Sequence, residues 1–289
     1  MASSPSIQWY PGHIAKAEKA LKEQLKRVDV ILEVRDARIP LSTLHPSLGS
    51  WLAGKQRVLV MNRVDMISSE ARDRWQDWFK SQGQTAYFTN ANQGSGVGQI
   101  SRAAQQAGKA MNDRRKKRGM RSRPVRAVVV GFPNVGKSAL INRLLKRKVV
   151  ESARKAGVTR QLRWVRISAE LELLDAPGII PAQLTDQVAA LKLAICDDIG
   201  QAAYDTQRVA SAFVDLLKQL DDAEPLSQGR QALISRYELD PTDCTGETYL
   251  QTLAEYRFQG SQERAAQKIL IEFRKGILGK LSLEWPPTA

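Results

Sequence analysis

Eight residues constrain this chain more than any other stretch: Gly131-Phe-Pro-Asn-Val-Gly-Lys-Ser138, which fits G-x-x-x-x-G-K-[ST]. The apolar run Val125–Val130 ahead of it predicts a strand, and Ser138–Leu145 behind it predicts a helix. Strand, glycine-rich turn and helix in that order make a P-loop. The glycines let backbone N–H groups from Asn134 to Ala139 turn inward at a helix N-terminus and close around phosphate oxygens, with Val135 and Gly136 in the turn. Lys137 is expected to reach the β- and γ-phosphates, and the Ser138 hydroxyl to ligate Mg2+. The plainer alternative is a glycine-rich turn that matches by chance, so the motif needs corroboration elsewhere in the chain.

Charge supplies some. The chain of 289 residues carries a net charge of +14, a balance that suits a polyanionic partner. The excess is not spread evenly. Residues 1–185 hold 33 Lys/Arg against 14 Asp/Glu, whereas residues 186–289 hold 11 against 16. Between Lys109 and Arg126 there are nine basic residues and only Asp113 opposes them. Such a run is either a solvated linker or a surface for phosphate backbone, and the chain-wide excess favours RNA. Two isolated cysteines, Cys196 and Cys244, lack zinc-ligand or disulfide-framework spacing. With no apolar stretch near the ~20 residues of a membrane span and no signal-peptide pattern at the start, a cytoplasmic, monomeric protein is expected.

Strand-like and helix-like runs alternate through the first two thirds of the chain. Strands are predicted at Val28–Val34, Val58–Met61, Thr85–Thr89, Val125–Val130, Leu162–Ser168 and Leu171–Leu174. Helices are predicted at 14–27, around 46–53, at 70–81 and from Val97 toward a basic linker at 109–126. That alternation predicts an α/β fold with a doubly wound, mostly parallel sheet over residues 1–185. From Asp186 only helices are predicted, at Gln187–Ile195, Thr206–Leu220, Gln228–Tyr237, Gly246–Tyr256 and Gln262–Ile277, so residues 186–289 read as a second, all-helical domain. Ligands of such sheets bind at the carboxyl ends of strands, and every motif below sits at one.

Asp175-Ala-Pro-Gly178 fits D-x-x-G, in which the Asp holds Mg2+ through water and the Gly N–H meets the γ-phosphate; alone it is also a common turn. Thr159 lies between the P-loop and that turn, where a threonine completing the Mg2+ shell belongs. Asn62-Arg63-Val64-Asp65 matches N-K-x-D with Arg63 in place of Lys. Its Asp accepts from guanine N1–H and N2–H2, a pair that adenine does not offer, discriminating by about 1–3 kcal/mol by analogy with bidentate base readout. Asn90-Ala91 then fits the backbone loop that meets guanine O6. In ordinary P-loop GTPases the P-loop comes first. Here the guanine-reading motifs precede it, as if the usual termini were joined and the chain cut after D-x-x-G.

In that order, together with Ile7-Gln-Trp-Tyr-Pro-Gly-His13, Asp36-Ala-Arg-Ile-Pro40 and the helical C-terminal part, the chain resembles the YlqF/RbgA family of circularly permuted GTPases, the ribosome biogenesis GTPase A family. The resemblance covers essentially the whole chain. It implies a Ras-like sheet in permuted order, GTP hydrolysis with Mg2+, and late assembly of the large ribosomal subunit with rRNA as partner. It also implies an RNA-binding helical domain. That part is net acidic here, so any RNA face is expected among Arg257, Arg264, Lys268, Arg274, Lys275 and Lys280.

Catalysis has a gap. After the D-x-x-G glycine, where Ras-like enzymes carry a water-positioning Gln, stand Ile179 and Ile180. The resemblance implies that His13 supplies the missing function, a neutral imidazole being able to orient water; the alternative is a cap on the following helix. Asn134 matches an asparagine that helps place K+ in related GTPases. Slow intrinsic turnover and ribosome stimulation follow. Asp36 and Arg38 read equally as a structural salt bridge or a switching element, and His45 as structural. Two other readings compete with this one: an RNA-binding scaffold holding GTP structurally with negligible turnover, and a P-loop ATPase or nucleotide kinase, against which Asn62–Asp65 argues.

Overall fold

A computed structural model describes residues 7, 21, 23–46, 48–52, 54–145, 163–175 and 185–287. The helix expected at 14–27 lies mostly outside them. Its end, with Leu21 and Leu25 buried, leads to strand β1 (Val30–Asp36). Helix α1 (Leu48–Leu52), β2 (Gln56–Asn62), α2 (Ser69–Ser81), β3 (Ala86–Thr89) and α3 (Val97–Lys117) follow. Next come β4 (Val125–Val130), α4 (Lys137–Leu144), β5 (Arg163–Arg166) and β6 (Leu171–Asp175).

The six strands form one sheet in the order β3-β2-β1-β4-β6-β5, parallel except for the β5–β6 pair. From β1 the chain winds outward through β2 and β3; from β4 it winds the other way. The order therefore reverses between β1 and β4, and that switch point is where an open α/β sheet binds ligands. Burial on both faces explains the unbroken apolar runs of these strands. Val30, Leu32, Val34, Ala127 and Val129 share one core with Ile100 and Ala104 of α3 and Leu140 and Ile141 of α4. On the other face Ile31, Val128 and Leu174 meet Leu21 and Leu48, while Leu59 and Met61 meet Trp75 and Phe79 of α2.

Five further helices, α5 (Gln187–Cys196), α6 (Thr206–Ala223), α7 (Gly229–Tyr237), α8 (Gly246–Arg257) and α9 (Gln262–Arg274), make up the rest. Asp186, Asp205, Thr245 and Ser261 cap four of them through side-chain oxygens. Their core is continuous with that of the sheet. The chain's last stretch also returns to the sheet. The Glu284 carboxylate accepts from the N–H groups of Leu41 (2.7 Å) and Ser42 (3.2 Å) and pairs with Lys192 (3.3 Å). The Trp75 indole donates to the Glu284 carbonyl at 3.3 Å, and Arg74 lies over the Trp285 ring.

Two expectations are corrected. The basic stretch 109–126 is not a linker throughout: α3 continues to Lys117, leaving a short connection before β4. The reason is the apolar row Val97, Ile100, Ala104 and Gly108, which seats the helix on the sheet and carries its polar last turns outward. The last helix stops at Arg274 instead of reaching Ile277, because Gly276 takes a left-handed turn at φ 73°.

Candidate nucleotide site

The P-loop is built by close approach. At Gly131 a Cβ would lie 2.2 Å from the Val34 carbonyl oxygen of β1, and at Gly136 one would lie 2.1 Å from Asn62 Nδ2. Gly136 also has φ +99°, so neither space nor conformation admits a side chain there. It hands the chain to α4, whose first turn is Lys137, Ser138 and Ala139. Lys137 is buried, and its ammonium lies inside the turn, donating to the carbonyls of Gly131 (3.1 Å) and Phe132 (2.7 Å).

Asn62, at the end of β2, holds three segments together. Its Nδ2 donates to the Val135 carbonyl of the P-loop at 2.8 Å, while its Oδ1 accepts from Thr89 Oγ1 (3.2 Å) and Ala91 N–H (3.0 Å). The guanine-reading loops and the phosphate loop are thereby fixed to one side chain that is 3% exposed. Asn90 shapes its own turn, accepting from the N–H groups of Asn92 and Gln93. Arg143 of α4 ties that turn down through the Ala91 and Asn92 carbonyls. Val64 and Asp65 open a short 3-10 turn, and Asp65 is exposed at its rim. One detail differs from expectation. The Ala91 N–H is engaged by Asn62, so a guanine O6 would share or exchange that donor.

Arg63 sits in the left-handed region at φ 64°. Its guanidinium donates to the Asn134 carbonyl at 2.6 Å and pairs with Asp36 at 3.3 Å. An arginine fork can thus bridge the P-loop and β1 at the place where the pattern has lysine. Asn134, at φ 57°, donates from Nδ2 to the Asp197 carbonyl just beyond α5 at 2.6 Å. Asp175 ends β6 in register with Val129 of β4, beside the P-loop strand. His13, Thr159 and Gly178 lie outside the described residues, and so does Ile179.

The residues that the sequence left undecided turn out to be central. Asp36 and Arg38 are both fully buried and joined by two bonds, Nε to Oδ1 at 3.0 Å and Nη2 to Oδ2 at 2.7 Å. Arg38 also donates to the Cys196 carbonyl and lies 5.2 Å from the Phe273 ring centre. Burial by itself would raise the Asp36 carboxyl; the guanidinium groups of Arg38 and Arg63 overcome it and hold Asp36 below the usual carboxylate range. Nearby Asp198 is also fully buried, and neither of its oxygens has a hydrogen-bond partner among the described residues. Burial, then the Asp36 charge, pushes its carboxyl well above the ordinary value. Arg274 of α9 completes the contact, donating to the Ala194 and Ile195 carbonyls and pairing with Asp197 at 3.7 Å. His45 is buried beside Phe132 of the P-loop.

Residues 126–234 match the family described as 50S ribosome-binding GTPase. A protein of Bacillus cereus named ribosome biogenesis GTPase A is 35% identical over 97% of this chain and 94% of its own length. Its namesake in Bacillus licheniformis is 37% identical over 81% of this chain and 80% of its own. The chain belongs to the ribosome biogenesis GTPase A family. Among solved structures, GNP-bound YlqF from T. maritima superposes with a TM-score of 0.61, covering 95% of this chain and 100% of that one at 22% identity. At that identity the likeness establishes the fold, a circularly permuted GTPase sheet with a helical C-terminal part. Among the described residues, no helix is long and apolar enough to cross a membrane.

Proposed function

We propose that this chain is a GTP-hydrolysing assembly factor of the large ribosomal subunit, slow alone and switched on by the particle. The observation that carries the reading is Asn62. One buried side chain joins the loop that cradles phosphate to the two loops that read guanine, which suits a guanine nucleotide bound across the β1/β4 switch point. The relatives' names supply the ribosomal setting. We infer that residues 1–185 act as the nucleotide unit and residues 186–289 as a helical unit clamped to it, in a cytoplasmic monomer.

Hydrolysis of the γ-phosphate needs positioning and charge stabilisation more than covalent chemistry. Lys137 already lies within the turn and would exchange its carbonyl partners for β- and γ-phosphate oxygens. Asp65 would accept from guanine N1–H and N2–H2, and Arg63 would lay its guanidinium beside the base. Gly178 would offer its N–H to the γ-phosphate.

The residue set suits a hard cation: a serine in the first turn of α4 and an aspartate at the end of the adjacent strand. Ser138, Thr159 and, through water, Asp175 would hold Mg2+, which when bound supplies positive charge against the phosphate oxygens. Asn134 would hold K+ through its side-chain oxygen, its amide N–H being taken by Asp197. His13 would orient the attacking water in place of the apolar Ile179.

Three experiments test this. GTP and GDP should displace a labelled guanine nucleotide and ATP should not; equal displacement by ATP would reject the guanine site. His13→Ala should bind GTP normally yet lose most particle-stimulated hydrolysis, and unchanged stimulated turnover would remove His13 from the mechanism. Equal rates in KCl and NaCl would do the same for K+.

A further inference from the structure

The basic residues do not gather where the nucleotide binds. Lys109, Arg114, Lys116 and Lys117 lie exposed on the last turns of α3, and Arg118 and Arg121 lie exposed on the connection to β4. All of them sit at the amino end of β4, whereas the P-loop follows its carboxyl end. The strand between the two spans about 17 Å at ~3.3 Å per residue. This cluster cannot serve the triphosphate.

The cluster is also held in place. A Cβ on Gly108 would meet the Val125 side chain at 2.3 Å, so α3 crosses the start of β4 at close range. Asn112 clamps the connection by a reciprocal pair of bonds to the Arg123 backbone at 3.0 and 3.1 Å. Arg123 is itself fixed by Asp29, and Arg115 donates to the Arg121 carbonyl. The neighbours are thus anchored while the six exposed cations, among the described residues, form no ion pair. Basic residues at a helix C-terminus complement its dipole, but that accounts for the last turn and its cap and not for Lys109 or Arg121.

The helical unit is the contrasting case. Of the six basic residues expected to form an RNA face there, Arg264, Lys275 and Lys280 stand exposed, but Arg257 pairs with Glu238 at 3.0 Å and Lys268 with Glu272 at 3.2 Å. Arg274 is turned inward onto Ala194 and Ile195.

We propose that the amino end of the sheet, where α3 ends and β4 begins, is a docking surface for the sugar-phosphate backbone of RNA. The inference rests on the ribosomal reading above and names the face that would meet the particle. An anionic membrane would also attract cations. However, a helix that lies in a bilayer needs an exposed apolar face, and the apolar row of α3 is buried against the sheet.

The test combines Arg114→Gln, Lys116→Gln, Lys117→Gln and Arg118→Gln in the full chain; glutamine is a good helix former, and an unchanged melting temperature confirms the fold. Anisotropy of a labelled RNA hairpin is read between about 50 and 200 mM salt, where phosphate-backbone binding shows steep salt dependence. The variant should bind at least about tenfold more weakly, and its log–log salt slope should fall by about one for each cation that no longer meets a phosphate. GTP affinity and basal turnover should not change. A second variant, Arg257→Gln with Arg264→Gln and Lys268→Gln, should bind RNA nearly as the wild type does. Unchanged RNA binding in the first variant, or loss confined to the second, overturns the proposal. Binding of the wild type to phosphatidylserine vesicles but not to RNA overturns it in favour of a membrane. Wild-type turnover that large subunits do not stimulate defeats the ribosomal reading instead, whatever the hairpin shows.

Discussion

The two ends of the sheet treat charge in opposite ways. At the carboxyl end Asp36 and Arg38 are entirely buried and locked to each other by two short bonds. At the amino end a larger group of cations stands in solvent without acidic partners among the described residues. Burying a charge is unfavourable unless it is paired and hydrogen-bonded, so the carboxyl-end charges persist only as a fixed geometry. Exposed charges contribute little to stability and remain available to something outside the molecule. One end specifies where the nucleotide loops sit relative to the helical unit; the other presents a field.

The largest effect should come from breaking the buried pair. Arg38→Leu leaves Asp36 buried without its bidentate partner and should lower stability by about 3–5 kcal/mol, the usual cost of stranding one member, as measured by urea denaturation. A loss below about 1 kcal/mol would mean that the pair is solvated after all. Next, Asn62→Ala removes three bonds, one to the P-loop and two to the Thr89–Ala91 turn, and strands their buried groups, each costing about 1–3 kcal/mol. GTP affinity should fall by at least about tenfold, one such group's worth, while RNA binding is unchanged. Affinity retained would show that the loops are held without it.

Asp198→Asn should act with the opposite sign. Its carboxyl is raised in the folded state, so the fold favours the protonated form and stability is lost as pH rises past the ordinary carboxylate value. The variant should therefore be more stable than the parent at pH 8 and little different near pH 4 on thermal melting; a loss at pH 8 would show that the charge has a partner. Glu272 runs the other way again. Bonds from Arg236, Tyr237 and Lys268 bring its carboxyl down to about 2. Its contribution is complete above the ordinary carboxylate value and is lost as pH falls toward 2, a decline that Glu272→Gln should flatten. The smallest effect belongs to the exposed end. Lys116→Gln should shift stability by no more than about 0.5 kcal/mol, and a larger shift would mean that this end is structural too.

Much of this was legible in the residues. The strand–loop–helix context of Gly131–Ser138 and the placing of Asn62–Asp65 before it set the sheet and its permuted order, because motif spacing and periodicity are local properties. What escaped was long-range. Nothing in Asp36-Ala-Arg38 shows that Arg38 will meet the Cys196 carbonyl 158 positions away and the Phe273 ring. Nor does a lone Asp198 signal burial. The basic stretch hid a helix, since the row that seats α3 ends at Gly108 and the charged turns beyond it have no apolar period. Glycine there reads as a breaker, yet it is small because Val125 lies against it. His13, Thr159 and Gly178 rest on sequence position alone.

The most direct test of a particle-triggered GTPase is single-turnover hydrolysis by the full chain at saturating nucleotide, with purified large ribosomal subunits titrated in. Turnover should be slow alone and accelerate by at least about tenfold, an activation-barrier change of ~1.4 kcal/mol, saturating with the subunit. A rate that stays flat across the titration would contradict it.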